Sequence, residues 1–191
     1  MKTPLAHKLR PTKLDDVIGQ DHLVGDEQII RKMIESETLF SMILYGNPGT
    51  GKTTLAMVIA NELELPYRIF NAVVGSKKDL VAIFEEGRIS NGLVVIIEEI
   101  HRLNKDKQDL LLPHLEDGTI TVIGTTTSNP YFAINPAIRS RVHLFELQPV
   151  AEDQLFEALL SISNSDEFNN ITVDDDAIKT IVTHSGGDRR T

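Results

Sequence analysis

The chain of 191 residues contains no cysteine. Disulfides, thiolate zinc sites and cysteine nucleophiles are thereby excluded. It also lacks any apolar run near the roughly 20 residues that a membrane-spanning helix needs. Its opening, Met1-Lys2-Thr3-Pro4, leads into a polar, proline-punctuated stretch rather than the apolar core of a secretory signal, so the expected location is cytoplasmic. Positive charge is scarce: 19 Lys and Arg against 28 Asp and Glu leave a formal net charge of −9. The chain as a whole is no binder of polyanions. Any nucleic-acid contact has to come from a local basic patch or from other parts of an assembly. Internal repeats and low-complexity tracts are missing too. What remains is a composition that is 41% hydrophobic, in a length suited to one good-sized core plus a small appended unit.

Against that background one stretch stands out. Gly46-Asn47-Pro48-Gly49-Thr50-Gly51-Lys52-Thr53-Thr54 spells a complete G-x-x-x-x-G-K-T phosphate loop. Ser41-Met42-Ile43-Leu44-Tyr45 before it has the character of a short buried strand, and Leu55, Ile59 and Leu63 after it recur at helical spacing. In that setting the glycines let backbone N–H groups turn onto phosphate oxygens, and the helix N-terminus adds the positive end of its dipole. Lys52 is expected to reach the β- and γ-phosphates, and Thr53 to hold Mg²⁺ through its hydroxyl. The motif implies a nucleoside triphosphate, ATP or ADP, as ligand.

Along the chain, apolar strand candidates alternate with helical patterns. The strands fall at 41–45, 67–70, 93–97, 120–124 and 142–145; the helical patterns fall near 27–36, 52–64, 77–88 and 105–116. Continuous apolar strands separated by helices predict a parallel sheet covered on both faces, with ligands at the carboxyl ends of its strands. After Pro149 the texture changes to acidic-capped helical stretches at 151–163 and 174–184, with a polar connection and no further strand. The expected division is an α/β nucleotide-binding domain over 1–149 and the start of a small helical lid over 150–191.

A second chemical element is Leu93-Val94-Val95-Ile96-Ile97-Glu98-Glu99, a buried strand that ends in two acids. It places carboxylates at the mouth of the sheet, beside the phosphates. The usual form of such a strand ends in Asp-Glu, the Asp orienting Mg²⁺ and the Glu positioning the attacking water. Here Glu98 stands first, and its extra methylene moves the carboxylate by more than an ångström, a displacement of the size that can cost about a hundredfold in rate. Restoring the shorter acid is therefore expected to raise turnover. Glu99 is the candidate water-orienting base. Basic residues collect nearby: Lys77 and Lys78 precede one helix, and His101, Arg102, Lys105 and Lys107 follow the acidic strand, with Asp106 and Asp109 interleaved. A DNA-phosphate contact and a merely solvated helix face are both open for this group.

Three segments carry a family resemblance. They are Leu9-Arg10-Pro11 with Leu14-Asp15-Asp16-Val17-Ile18-Gly19-Gln20-Asp21-His22-Leu23-Val24-Gly25; Ser41 to Gly46; and Asn104-Lys105-Asp106-Lys107-Gln108-Asp109 running on through Leu112-Pro113-His114-Leu115-Glu116-Asp117-Gly118-Thr119-Ile120. Together with Ile123-Gly124-Thr125-Thr126-Thr127-Ser128-Asn129-Pro130 they resemble the AAA+ ATPases called RarA, relatives of the Werner helicase-interacting protein. Clamp-loader subunits and the RuvB branch-migration motor are more distant cousins. The resemblance covers essentially the whole chain.

It implies a P-loop AAA+ sheet followed by a partial helical lid, and it implies roles for particular residues. Arg10, Pro11, Val17 and Ile18 match the segment that forms part of the adenine pocket. Sensor 1 falls at Thr127, with Thr126 as the neighbouring candidate. Ser140-Arg141 resembles an arginine finger, whose Arg141 would serve a nucleotide bound by a neighbouring subunit. Gly186-Gly187-Asp188-Arg189-Arg190 resembles sensor 2, which puts Arg189 on the nucleotide, Arg190 being the weaker candidate. The implied activity is ATP hydrolysis used to remodel DNA or protein–DNA complexes at stalled replication forks. DNA forks, ends or gaps, a single-stranded-DNA-binding protein and further copies of the chain are the implied partners. The alternative is a nucleotide-binding assembly module with weak or absent hydrolysis. Asn47 stands where this family has proline, and the chain stops at Thr191, where family members continue into a C-terminal oligomerisation region. It therefore has the look of an N-terminal fragment, expected to be mostly monomeric.

Overall fold

The computed structural model describes residues 9–90, 92–163 and 174–185. Five strands form one parallel sheet: β1 (Met42–Tyr45), β2 (Tyr67–Asn71), β3 (Val94–Glu98), β4 (Thr121–Thr126) and β5 (His143–Glu146), in the order β2-β3-β4-β1-β5. All five expected strands are present, each within a residue or two of its expected bounds. Side chains alternate across the sheet, so both faces are apolar. Met42, Leu44, Val94, Ile96 and Ile123 belong to one hydrophobic cluster, and Ile43, Val95, Ile97 and Val122 to another.

Helices cover both faces. In chain order they are α1 (Asp21–Val24), α2 (Ile29–Glu35), α3 (Lys52–Glu62), α4 (Lys77–Ser90), α5 (Lys105–Asp117), α6 (Pro130–Ala133), α7 (Pro136–Arg139), α8 (Glu152–Ser163) and α9 (Asp175–Ser185). Leu55, Ala56, Val58, Ile59 and Ala60 of α3 pack into the first cluster; Leu80 and Phe84 of α4 and Leu111 of α5 pack into the second. The α6–α7 pair follows from two Asn-Pro dipeptides. Asn129 and Asn135 accept backbone N–H groups from Tyr131 and Ala137, and each is followed by a proline at the first helical position.

Strand order fixes where a ligand belongs. Chain leaving β1 passes β4 and β3 to reach the edge strand β2, whereas chain leaving β4 crosses β1 to reach β5. The connections diverge between β1 and β4, and the crevice at their carboxyl ends is the place for a ligand. Register brings Tyr45 level with Thr126, Glu98 level with Thr125, and Asn71 level with Glu98.

Beyond β5, Val150, Leu155, Ile178 and Val182 form a third, smaller cluster. The N-terminal segment straddles the two units: Val17 packs against the sheet's first cluster and Ile18 against this third one. A buried side chain fastens the N-terminal segment to the chain leaving β5. Gln20, with no exposed surface, donates from Nε2 to the Gln148 carbonyl at 2.8 Å and accepts the Gln148 N–H at 3.0 Å. Gln20→Ala strands both backbone groups, a loss of roughly 1–3 kcal/mol for each such buried group. Urea unfolding is expected to show a lower midpoint with an unchanged slope; an unmoved midpoint would mean that the pairing contributes nothing.

Candidate functional site

Gly46 opens the loop after β1 with φ 144°, and a Cβ there would lie 2.3 Å from the Leu147 carbonyl oxygen, so only glycine fits. Gly51, at φ 92°, caps α3 in the left-handed region, and Lys52 is the first residue of that helix. The Lys52 ammonium reaches back across the loop to the carbonyls of Gly46 at 2.8 Å and Asn47 at 2.6 Å, and to the Thr50 hydroxyl at 3.4 Å. Thr50 in turn donates to the Asn47 carbonyl at 3.0 Å. The loop is thus wrapped around its lysine, with a helix N-terminus behind it. Asn47 contributes its carbonyl, which a proline would supply equally well.

The acidic strand end meets this loop directly. Thr53 Oγ1 donates to Glu98 Oε1 at 3.1 Å, and Asn71 Nδ2 donates to Glu98 Oε2 at 3.3 Å. Asn71 also accepts the Val73 N–H at 3.0 Å, so it both turns the chain after β2 and holds the carboxylate. The two oxygens of Glu98 span the gap between α3 and β2. This departs from the sequence expectation about the longer acid: the extra methylene is taken up by the distance between two partners on different elements. Glu98→Asp is accordingly expected to withdraw the carboxylate from one partner and to lower turnover or leave it unchanged, measured by phosphate release at saturating ATP. A tenfold rise would show that the methylene misplaces the group.

Thr53 and Glu98 present hard oxygen donors on one spot, the donor type that Mg²⁺ selects. Among the described residues no cluster of three or more His, Asp or Glu side chains could hold a metal by itself.

Glu99 lies one residue past β3, in the left-handed region at φ 51° and ψ 46°, at the head of a 3-10 turn over Ile100–Arg102. The turn brings His101 back beneath it, with Nδ1 3.4 Å from Glu99 Oε2. Thr126 ends β4, fully buried, and its hydroxyl lies 2.8 Å from the same Nδ1. Thr127, the next residue, is exposed. Tyr45, at the end of β1, has its phenol pushed above the usual range by burial, with the Glu146 carboxylate adding to the shift.

The remaining candidates fall around this centre. Arg10 donates to Met57 Sδ on α3 at 3.3 Å, and Pro11 is half-buried beside it. Arg141 is held within its own chain: Nε donates to Glu116 Oε1 at 2.9 Å and Nη1 to the Ala137 carbonyl at 2.7 Å. Arg189 and Arg190 lie outside the described residues. Of the basic group, Lys107 is engaged locally, donating to the Gly75 carbonyl at 2.6 Å and lying 5.7 Å above the Phe70 ring. Lys77, Lys78, Arg102 and Lys105 are exposed. Sequence reasoning missed Asn71, His101 and Gln20 as partners. The only available signal for Asn71 was a polar residue at the end of a strand whose neighbour was not yet known.

A phosphate loop at the switch point of a parallel sheet and an acidic strand end bonded to its threonine define an AAA+ P-loop domain. Residues 9–136 match the family described as the Holliday junction DNA helicase RuvB P-loop domain, and the chain belongs to that family. It is 45% identical over 191 residues to replication-associated recombination protein A of Bacillus subtilis, covering 98% of this chain and 45% of that protein. It is 41% identical over 160 residues to the Escherichia coli K12 protein of the same name, covering 82% of this chain and 36% of that protein. Against the ATPase WRNIP1 of Dictyostelium discoideum, identity is 37%, covering 98% of this chain and 22% of that protein. The RarA and Werner helicase-interacting resemblance expected from the sequence is borne out. Among solved structures, a variant of Thermotoga maritima RuvB superposes with a TM-score of 0.80 at 30% identity, over 95% of this chain and 62% of that one. The chain spans less than half the length of these recombination and WRNIP1 relatives.

Proposed function

We propose that the chain is the ATP-binding and hydrolysing domain of an AAA+ ATPase that remodels DNA or protein–DNA complexes at stalled replication forks. The observation that carries this reading is the Thr53–Glu98–Asn71 bridge, which joins the phosphate loop to the acidic strand end. Gly46 through Thr54 enclose the phosphates, and Lys52 reaches the β- and γ-phosphates. Thr53 and Glu98 hold Mg²⁺, which when bound supplies positive charge against the phosphate oxygens. Glu99 orients the attacking water as base, Thr127 senses the γ-phosphate, and Arg141 acts on a neighbour's nucleotide. Arg10, Pro11, Val17 and Ile18 border the adenine. Arg189 completes the nucleotide contacts from the lid, whose boundary with the 1–149 domain falls at 150, where the third cluster begins.

The names of the relatives, which refer to replication-associated recombination and to Holliday junctions, support DNA as a partner; forks, ends or gaps as the DNA form, assembly into homo-oligomers in the complete protein, a single-stranded-DNA-binding protein and a nucleoid-associated, cytoplasmic location belong to the same reading. The exposed Lys77, Lys78, Arg102 and Lys105 are the residues offered to DNA phosphates. The alternative, an assembly module that binds ATP and hydrolyses it weakly, draws on Glu98 in place of the usual Asp. ATP turnover by the complete protein, with and without forked or gapped DNA, separates the two.

A further inference from the structure

Two large aromatic side chains stand uncovered on the segment that leads to Arg141. Phe132 is 89% exposed and Tyr131 57%, and both lie on α6. Beneath them, buried Ile134 and Ile138 fasten the α6–α7 strip to the sheet's second cluster. Asn129 and Asn135 cap the two helices, and Arg139 donates to the Tyr131 carbonyl and lies 5.8 Å over the Tyr131 ring. The strip is braced from below and along its length, and Phe132 projects from it.

Register decides which nucleotide the arginine at the end of this strip can serve. His143 is level with Met42 at the start of β1, and Arg141 precedes His143 by two residues. Glu116, which holds Arg141, is in the last turn of α5, ahead of β4. Arg141 therefore stands at the amino ends of the strands. The phosphate loop opens at their carboxyl ends, about four residues past Met42, roughly 13 Å along the sheet. Arg141 is turned away from its own phosphates and is free to meet those of a second copy.

We propose that the α6–α7 strip docks on a second copy of this chain, with Phe132 as its apolar anchor. The proposal rests on the reading of Arg141 as an arginine for a neighbour's nucleotide. Charge selects the occupant. In a chain of net charge −9 the strip offers Arg139 and Arg141, and the mouth of a second copy offers Glu98, Glu99 and the triphosphate. Aromatic residues and arginine are the side chains in which interface cores are enriched. Phe132 shuts water out of the contact and so keeps Arg141 against the phosphates.

The test uses the complete protein: turnover, ATP affinity and thermal melts for Phe132→Ser, Phe132→Leu and Arg141→Ala, each alone and mixed with Lys52→Ala. Because Phe132 is exposed, serine should leave the melt and the ATP affinity nearly unchanged. Turnover should fall by about tenfold or more, as for loss of an interface hot spot, and leucine should keep most of it. Mixing Phe132→Ser with Lys52→Ala should restore part of the rate, since the second variant lends an intact strip. A photoreactive benzoylphenylalanine in place of Phe132 should crosslink one copy to another, and this readout decides alone if the wild-type protein shows no turnover. Wild-type turnover in Phe132→Ser would overturn the proposal. So would a loss that mixing fails to recover while it recovers Arg141→Ala, or crosslinks only within one chain or to DNA. Arg141→Ala with wild-type turnover, beside crosslinks between copies, would instead overturn the arginine reading and leave the docking surface standing.

Discussion

Lys52→Ala is expected to lower ATP affinity by about a hundredfold or more, and turnover with it. A charge-assisted hydrogen bond contributes about 1.5–3 kcal/mol, and the lysine of a phosphate loop makes such bonds to two phosphates. Every 1.4 kcal/mol is a factor of ten in affinity. The same ammonium gathers the Gly46 and Asn47 carbonyls, so the alanine variant also loses part of what shapes the loop. Calorimetric titration with Mg-ATP, beside a thermal melt of each protein, separates the two contributions. Equal affinity in a variant that melts like wild type would show that the nucleotide does not bind at this loop.

Arg141→Ala carries the second large effect. An arginine supplied to a transferring phosphoryl group is worth about 10³–10⁵ in rate, so turnover in the complete protein is expected to fall by about a thousandfold, with ATP affinity nearly unchanged. Arg141 is bonded to Glu116 of its own chain, and that pair does not stand in the way. Glu116's side chain is 54% exposed and Arg141's 36%. Exposed pairs of this kind are worth roughly 0–1 kcal/mol, far less than contact with a phosphate in a closed interface. Mixing Arg141→Ala with Lys52→Ala should restore part of the activity, because the second variant lends an intact arginine while the first binds the ATP. Absence of rescue, with both variants assembled, would make Arg141 a structural partner of Glu116 and nothing more.

How much of this was legible before the fold depends on sequence distance. The phosphate loop is contiguous, and its strand and helix announce themselves by periodicity, so residues 41–64 could be read at once. The central strands β1, β3 and β4 were legible because each is apolar on both faces, the mark of a sheet sandwiched between helices, whereas the edge strands β2 and β5 are partly exposed and showed only as short apolar runs. The α6–α7 pair was not, since two helices of four residues are too short to show a period, although both Asn-Pro starts were in view. The links that organise the site join residues far apart in the chain: Thr53 to Glu98, Asn71 to Glu98, His101 to Thr126, Gln20 to Gln148. None follows until strand order and register set the five strands beside one another, with β2, β3 and β4 adjacent and β5 next to β1. The length of Glu98 is a case of the same kind: compared with aspartate it is one methylene longer, and only the fold shows that it reaches both Thr53 and Asn71.

The central proposal, that the complete protein turns over ATP through this domain in the service of DNA remodelling, is tested most directly by phosphate release from the complete protein at saturating Mg-ATP, with and without gapped or forked DNA. The account predicts measurable turnover that rises severalfold when such DNA is added. ATP that is bound but not hydrolysed under either condition would contradict it, and would leave the chain a nucleotide-binding assembly module.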